Sequence, residues 1–218
     1  MSCRFDLIVF DWDGTLLDSA EAIVLSIQLA CRDLGVAEPD DAGARQVIGL
    51  GLVDALARAV PDLPPARYRE LAERYRYHYL SRDHDLALFD GAADMVAELH
   101  MRGHSLAIAT GKSRPGLDRA LAHSGLDRWF HATRCADECH SKPHPEMLLE
   151  LMEALVAEPG RTLMIGDTTH DLQMARNAGV AAVAVGFGAH PTELLLAEDP
   201  LALASSTAEL ADWLRLNG

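Results

Sequence analysis

The segment Phe10-Asp11-Trp12-Asp13-Gly14-Thr15 places two carboxylates two residues apart, just after a short apolar run. Three further polar signals stand at comparable places along the chain: Thr110, Lys142, and Asp167 with Asp171. Brought to one edge of a sheet, four carboxylates would repel one another strongly unless a cation sat among them. Oxygen donors favour a hard ion. Mg²⁺ suits a few carboxylates, some waters and a phosphate oxygen supplied by a substrate. Asp167 and Asp171 are four apart, so both can lie on one side of a helix's first turn, or a loop before the helix can converge on the same ion.

The elements that must deliver these residues are legible as alternating patterns. Asp6-Leu7-Ile8-Val9-Phe10 reads as a buried strand ending at Asp11. Similar runs recur at 105–109, 162–166 and 181–185, and helical periodicity fills 113–124, 145–157 and 170–178, with Gly125 and Gly179 at helix stops. Strand alternating with helix predicts a parallel sheet covered on both faces, an α/β fold of Rossmann-like type. In such sheets ligands bind beyond the carboxyl ends of the strands, where the polar signals fall. The stretch from Asp18 to Arg82 breaks the alternation. It reads as helices only, at 18–35, 41–60 and 64–81, separated by Pro39 and by Pro61, Pro64 and Pro65. An all-helical block after the first strand is an inserted cap. The expected partition is a core of 1–15 and 88–218 with a helical cap of 16–87.

Composition limits the partners. The 218 residues carry 33 acidic and 19 basic side chains, a net charge of −14, which argues against binding nucleic acid or an anionic membrane. No apolar run reaches the roughly 20 residues of a membrane span. Asp6 stands directly before the first apolar stretch and no basic segment leads into it, so no secretory signal is expected. Four cysteines in this length do not make a disulfide framework, and a reducing, cytoplasmic setting is the simpler reading. The oligomeric state is left open, a monomer included.

Taken together, four segments resemble the signatures of the haloacid dehalogenase superfamily. They are Asp11-Trp12-Asp13-Gly14-Thr15-Leu16-Leu17-Asp18-Ser19, Ala109-Thr110-Gly111-Lys112, Ser141-Lys142-Pro143-His144-Pro145, and Gly166-Asp167-Thr168-Thr169-His170-Asp171 with Ala178-Gly179. Their order and spacing are similar to those of the phosphoglycolate phosphatase-like branch, whose members carry a small helical cap at this place. The resemblance implies a Mg²⁺-dependent phosphatase acting on a small phosphorylated metabolite through an aspartyl-phosphate. Asp11 would be the nucleophile and Asp13 the general acid and then base. Thr110 and Lys142 would bind the transferring phosphoryl group. Asp11, the backbone carbonyl of Asp13, Asp167 and Asp171 would surround the metal. Gly111, Lys112 and, from the cap, Arg45 are candidate substrate contacts. With Asp13 protonated, three negative carboxylates face Mg²⁺ and Lys142, so the site is close to neutral and does not repel a phosphate dianion.

Other readings of the same residues can be set against this one. A phosphosugar mutase or a pyrophosphatase would use the same scaffold, and a non-catalytic phosphate-binding regulator would keep the fold without turnover. A metal-free dehalogenase would not need Asp13. Phosphonate-cleaving relatives depend on a cap lysine, and residues 18–82 contain none. Asp18 and Ser19 read as the hinge and first cap of a helix. Gly49-Leu50-Gly51, costly inside a helix, marks a loop of the cap where relatives keep a specificity loop. His131, Cys135, Cys139, His140 and His144 invite a zinc reading, but Lys142 and Pro143 run through the same loop and the resemblance accounts for them without zinc. His170 reads as a flanking residue.

Overall fold

The computed structural model describes residues 4–218. Six parallel strands form one sheet: β1 (Leu7–Phe10), β2 (Ser105–Thr110), β3 (Ala132–Cys135), β4 (Thr162–Gly166), β5 (Ala181–Val185) and β6 (Ala202–Ala204). Their spatial order is β3-β2-β1-β4-β5-β6. β1 is therefore central, with Phe10 level with Ile108 on one side and Ile165 on the other. The chain turns outward in both directions from it, and Asp11 leaves the sheet at that switch point, its N–H still donating to Ile165 O at 2.9 Å.

Both faces of the sheet are buried, which is why β1 and the middles of β2 and β4 are continuous apolar runs. Ile8, Phe10, Leu106, Ile108, Leu163 and Ile165 point to one face. There they meet Met95, Val96 and Leu99 of α5 (Ala92–Met101), Leu117 and Leu121 of α6 (Arg114–Ser124), and Leu210 and Leu214 of α10 (Thr207–Asn217). The alternate residues Leu7, Val9, Ala107, Ala109 and Met164 pack on Met147, Leu148 and Leu151 of α7 (Glu146–Leu155) and on Met174 and Ala175 of α8 (Thr169–Asn177). A short helix α9 (Thr192–Leu196) lies beside α8, with Leu195 packed on Leu172 and Ala184.

The strands expected at 162–166 and 181–185 form at those residues, and those expected at 6–10 and 105–109 form with a one-residue change at one end. Two strands, β3 and β6, were not expected. Both are sheet edges. β3 reads Ala-Thr-Arg-Cys and β6 has only three residues, so neither carries the apolar run that marks a strand buried on both faces.

Residues 20–80 carry helices and no strand: α1 (Ala20–Leu34), α2 (Asp41–Arg45), α3 (Leu52–Ala59) and α4 (Tyr68–Leu80). They bury their own cluster, in which Ile23, Val24 and Ile27 of α1 meet Leu56 of α3 and Leu71 of α4. The helix expected over 41–60 is two helices. Gly49, at φ +90°, breaks it, and Gly51 starts α3. The two connections to the sheet run side by side, with Asp18 N–H donating to Ala87 O and Phe89 N–H donating to Leu16 O.

Candidate active site

The polar residues singled out in the sequence gather beyond the carboxyl ends of β1, β2 and β4. Asp11 is fully buried. Lys142, also buried, places Nζ 2.8 Å from Asp11 Oδ1 and 2.6 Å from Asp171 Oδ1. Burial alone would lower the Lys142 pKa, yet the two carboxylates outweigh it and hold the ammonium well above its ordinary range. Asp11 moves the other way. Burial first, with Asp171 and Asp167 adding repulsion against the pull of Lys142, raises its carboxyl well above normal. Asp11 Oδ2 accepts no hydrogen bond from the described residues.

The fourth segment forms the facing wall. Thr168 caps α8 and Asp171 closes a capping box, its Oδ2 accepting from Thr168 N–H at 3.1 Å and Thr168 Oγ1 at 2.6 Å. Both Asp171 oxygens are thus engaged, one by the cap and one by Lys142. Asp167 accepts from Thr15 Oγ1 at 2.8 Å and from Ala189 N–H at 2.7 Å. Burial and the neighbouring Asp171 push its carboxyl up to about 7. Gly14 is required here. Its φ is +79°, and a Cβ on it would lie 2.2 Å from Asp167 Oδ2.

Asp11, Asp167 and Asp171 present ligand atoms within 4.8 Å of one another. Three mutually repelling buried carboxylates with a single shared lysine, and one nucleophile oxygen without a donor, form a hard-oxygen set that fits Mg²⁺.

Asp13 is held from the side. Its Oδ1 accepts from Ser19 Oγ at 2.7 Å and lies 3.0 Å from Lys112 Nζ. Ser19 occupies the N-cap position of α1, but its hydroxyl makes no capping bond and turns to Asp13 instead. Lys112 Nζ also donates to the hydroxyl of Tyr79, on α4, at 2.8 Å. Burial, then Asp13, keeps that phenol protonated far beyond its usual range. Thr110 is buried at the end of β2, its Oγ1 accepting from Lys112 N–H at 3.1 Å.

The Gly49–Gly51 loop lies across these loops. A Cβ on Gly111 would sit 2.5 Å from Leu50 O and 2.6 Å from Gly49 O, and one on Gly49 would meet Thr168 Oγ1 at 3.1 Å. Gly51 N–H donates to Ser141 Oγ at 2.9 Å, and His170 Nε2 lies 2.9 Å from Gln46 O. The second, third and fourth segments each touch this one loop. Arg45 lies elsewhere on the same block, its guanidinium paired with Glu21 of α1. Of the five soft-ligand candidates, Cys135 is buried in the core and His131 accepts from Leu106 N–H, while His140 and His144 converge with Glu146.

Four contributors were not foreseen: Thr15, Ser19 as a partner of Asp13, Tyr79, and the Ala189 amide. Thr15 stands inside a quoted segment and could have been found there. Tyr79 and Ala189 carry no local signal.

The haloacid dehalogenase-like hydrolase profile matches residues 8–185. The probable phosphatase IndB of Dickeya dadantii strain 3937 is 37% identical over 94% of this chain and 91% of its own length. The pyrophosphatase PpaX of Halalkalibacterium halodurans is 32% identical, with 96% of each chain covered. The crystal structure of a predicted phosphoglycolate phosphatase from Haemophilus somnus superposes with a TM-score of 0.87 over the full length of both chains at 24% identity, a likeness of fold. The chain therefore belongs to the haloacid dehalogenase-like hydrolases.

Proposed function

We propose that this hydrolase, which acts on phosphoric monoesters, takes a small phosphorylated metabolite and works with Mg²⁺ through an aspartyl-phosphate at Asp11. The observation that carries the reading is Asp11 itself, a buried carboxylate at the end of the central strand with one oxygen free of donors and the other beside Lys142.

In this reading Asp11 Oδ2 attacks phosphorus as the bond to the leaving alkoxide breaks, and Asp13 gives the alkoxide its proton. Asp13 then accepts a proton from the water that attacks the aspartyl-phosphate, freeing inorganic phosphate and regenerating Asp11. Asp13 is suited to both steps because Ser19 and Lys112 fix its carboxyl in place while leaving it at the site's edge, 7% exposed. Lys142 and Thr110 stabilise charge on the phosphoryl oxygens. Asp11, Asp167 and the Asp13 carbonyl would hold Mg²⁺, with Asp171 as the partner that orients Lys142 or as a further ligand. When bound, the ion neutralises charge shared by nucleophile and phosphate. The helical block 16–87 acts as the cap and offers Arg45 as a candidate substrate contact, while Gly111 and Lys112 are candidate contacts from the core. No helix among the described residues is long and apolar enough to cross a membrane, and the cytoplasm is the proposed setting.

The similarity to a pyrophosphatase favours one second reading, a diphosphate substrate. A phosphate-release screen with and without Mg²⁺, over about a hundred metabolites that include pyrophosphate, addresses both. Expected is metal-dependent release from a small phosphomonoester, lost by on the order of 10⁴-fold or more in Asp11→Asn. Turnover that survives Asp11→Asn would rule out the aspartyl-phosphate.

A further inference from the structure

His140, His144 and Glu146 lie outside the carboxylate site, on the outward side of the loop that carries Lys142. Their ligand atoms lie within 4.8 Å of one another, and both histidines are exposed. The two imidazole rings are 4.4 Å apart. His140 Nδ1 is 2.6 Å from Glu146 Oε2, and His144 Nδ1 accepts a long 3.3 Å bond from Glu146 N–H. Two imidazoles and one carboxylate therefore already cluster at the start of α7, with ligand atoms close enough for one ion.

We propose that these three residues form a second metal site, selective for a borderline divalent ion such as Zn²⁺ or Ni²⁺ and independent of the Mg²⁺ chemistry at Asp11.

Donor chemistry separates the two sites. Imidazole nitrogen suits Zn²⁺ and Ni²⁺, whereas Mg²⁺ demands oxygen and gives up its waters reluctantly. A set of two histidines and one glutamate is a known minimum for zinc, with a position left for water.

The backbone under the site is pinned on both sides, so little ordering is needed on binding. Ser141 Oγ is fixed by Gly51 N–H, Lys142 is locked between two carboxylates, and Pro143 O accepts from Asn177 Nδ2 at 2.9 Å. The bonds a metal would displace are solvent-exposed and weak in net terms. His140 and His144 also border a cleft of about 580 Å³, with Asp54 and Arg58 of α3 across it, which leaves room for the ion's remaining waters.

The test titrates Zn²⁺ into the full chain against a chromophoric competitor, with Mg²⁺ saturating. One Zn²⁺ per chain is expected. Its affinity should fall about tenfold or more in each of His140→Ala and His144→Ala, since loss of a direct ligand costs at least what an outer partner does. Glu146→Gln should weaken it too, and Asp167→Asn should leave it unchanged. X-ray absorption of the Zn²⁺-loaded protein should show imidazole nitrogen at about 2.0–2.1 Å. The proposal is overturned if the His140→Ala/His144→Ala double variant, shown folded by its circular dichroism, binds Zn²⁺ as tightly as the parent. An all-oxygen shell, a sulfur ligand from Cys139, or loss of binding in Asp167→Asn would overturn it equally.

Discussion

The sheet side and the helical side of the site are built on different terms. On the sheet side Asp11, Lys142, Asp167 and Asp171 are buried and held by ion pairs or hydrogen bonds. Lys142 bridges Asp11 and Asp171, and Asp167 is fixed by Thr15 and the Ala189 amide. On the helical side the contacts are mostly backbone and glycine. Gly49, Leu50 and Gly51 lie against Gly111, Thr168 and Ser141, and two polar side chains reach the core, Tyr79 to Lys112 and Ser19 to Asp13. The carboxylate site is thus held by paired charges in the core, while its contact with the helical block depends on shape and small residues. The first fails when a charge is removed, the second when a methyl group is added.

The sharpest break is Lys142→Met. It leaves Asp11 and Asp171 buried without their shared cation. Removing one partner from a buried ion pair costs about 3–5 kcal/mol. Activity should fall below detection, and the metal-free protein should lose stability on that scale in urea unfolding. A variant as stable as the parent would show that these carboxylates do not depend on Lys142.

Gly111→Ala tests the other side. Its methyl group would collide with two carbonyl oxygens of the Gly49–Gly51 loop. Misplacement of this kind costs roughly 100-fold in kcat/KM, while Tm should stay close to that of the parent because the strand and core are untouched. Equal activity in Gly111→Ala would mean that turnover does not require this contact between the two sides.

The two sides also differed in how legible they were. Asp11, Asp13, Thr110, Asp167 and Asp171 could be found because they stand at or just beyond the end of an apolar run, and Lys142 because its Ser141-Lys142-Pro143 segment resembles a family signature. The parallel sheet was readable for the same reason, and its edges β3 and β6 were not, since an edge strand lacks that run. Tyr79 could not be read at all. It is one of several aromatics on an amphipathic helix, and its place beside Lys112 is set by how α4 docks on the sheet, a contact 33 residues apart in sequence. Ser19 was legible as a helix start, but not as the partner of Asp13, because the choice between capping and reaching the carboxylate is made by the turn of Asp13-Gly14 in space.

Proton competition sharpens the contrast in a graded way. In the metal-free protein Asp167 holds its proton up to about pH 7, above the ordinary carboxylate value of 3.8. A raised folded-state pKa means that this group stabilises the metal-free protein fully below the unfolded value, and that the contribution is lost as pH rises through 7. With Asp167 as a proposed ligand, Mg²⁺ would take its deprotonated form, so the Tm increment it gives should be larger at about pH 8 than at about pH 5.5. Differential scanning with chelator and with Mg²⁺ at both values reads this directly. An increment that does not change with pH would remove Asp167 from the metal's ligands.

The smallest expected effect lies at the hydrogen bond between Tyr79 and Lys112, one of the polar contacts between the two sides. Tyr79→Phe keeps the ring that stacks on Tyr75 and packs over Lys112, but deletes the hydroxyl that receives the Lys112 ammonium. Lys112 would keep its pairing with Asp13, so the acid and base steps should proceed. What is lost is one hydrogen bond that orders Lys112. At about 1 kcal/mol this amounts to roughly a fivefold loss in kcat/KM. It should appear chiefly in KM if Lys112 meets the substrate, and chiefly in kcat if Lys112 serves Asp13. The split assigns Lys112 to substrate or to acid, and an unchanged Tyr79→Phe enzyme would show that turnover does not use this hydrogen bond.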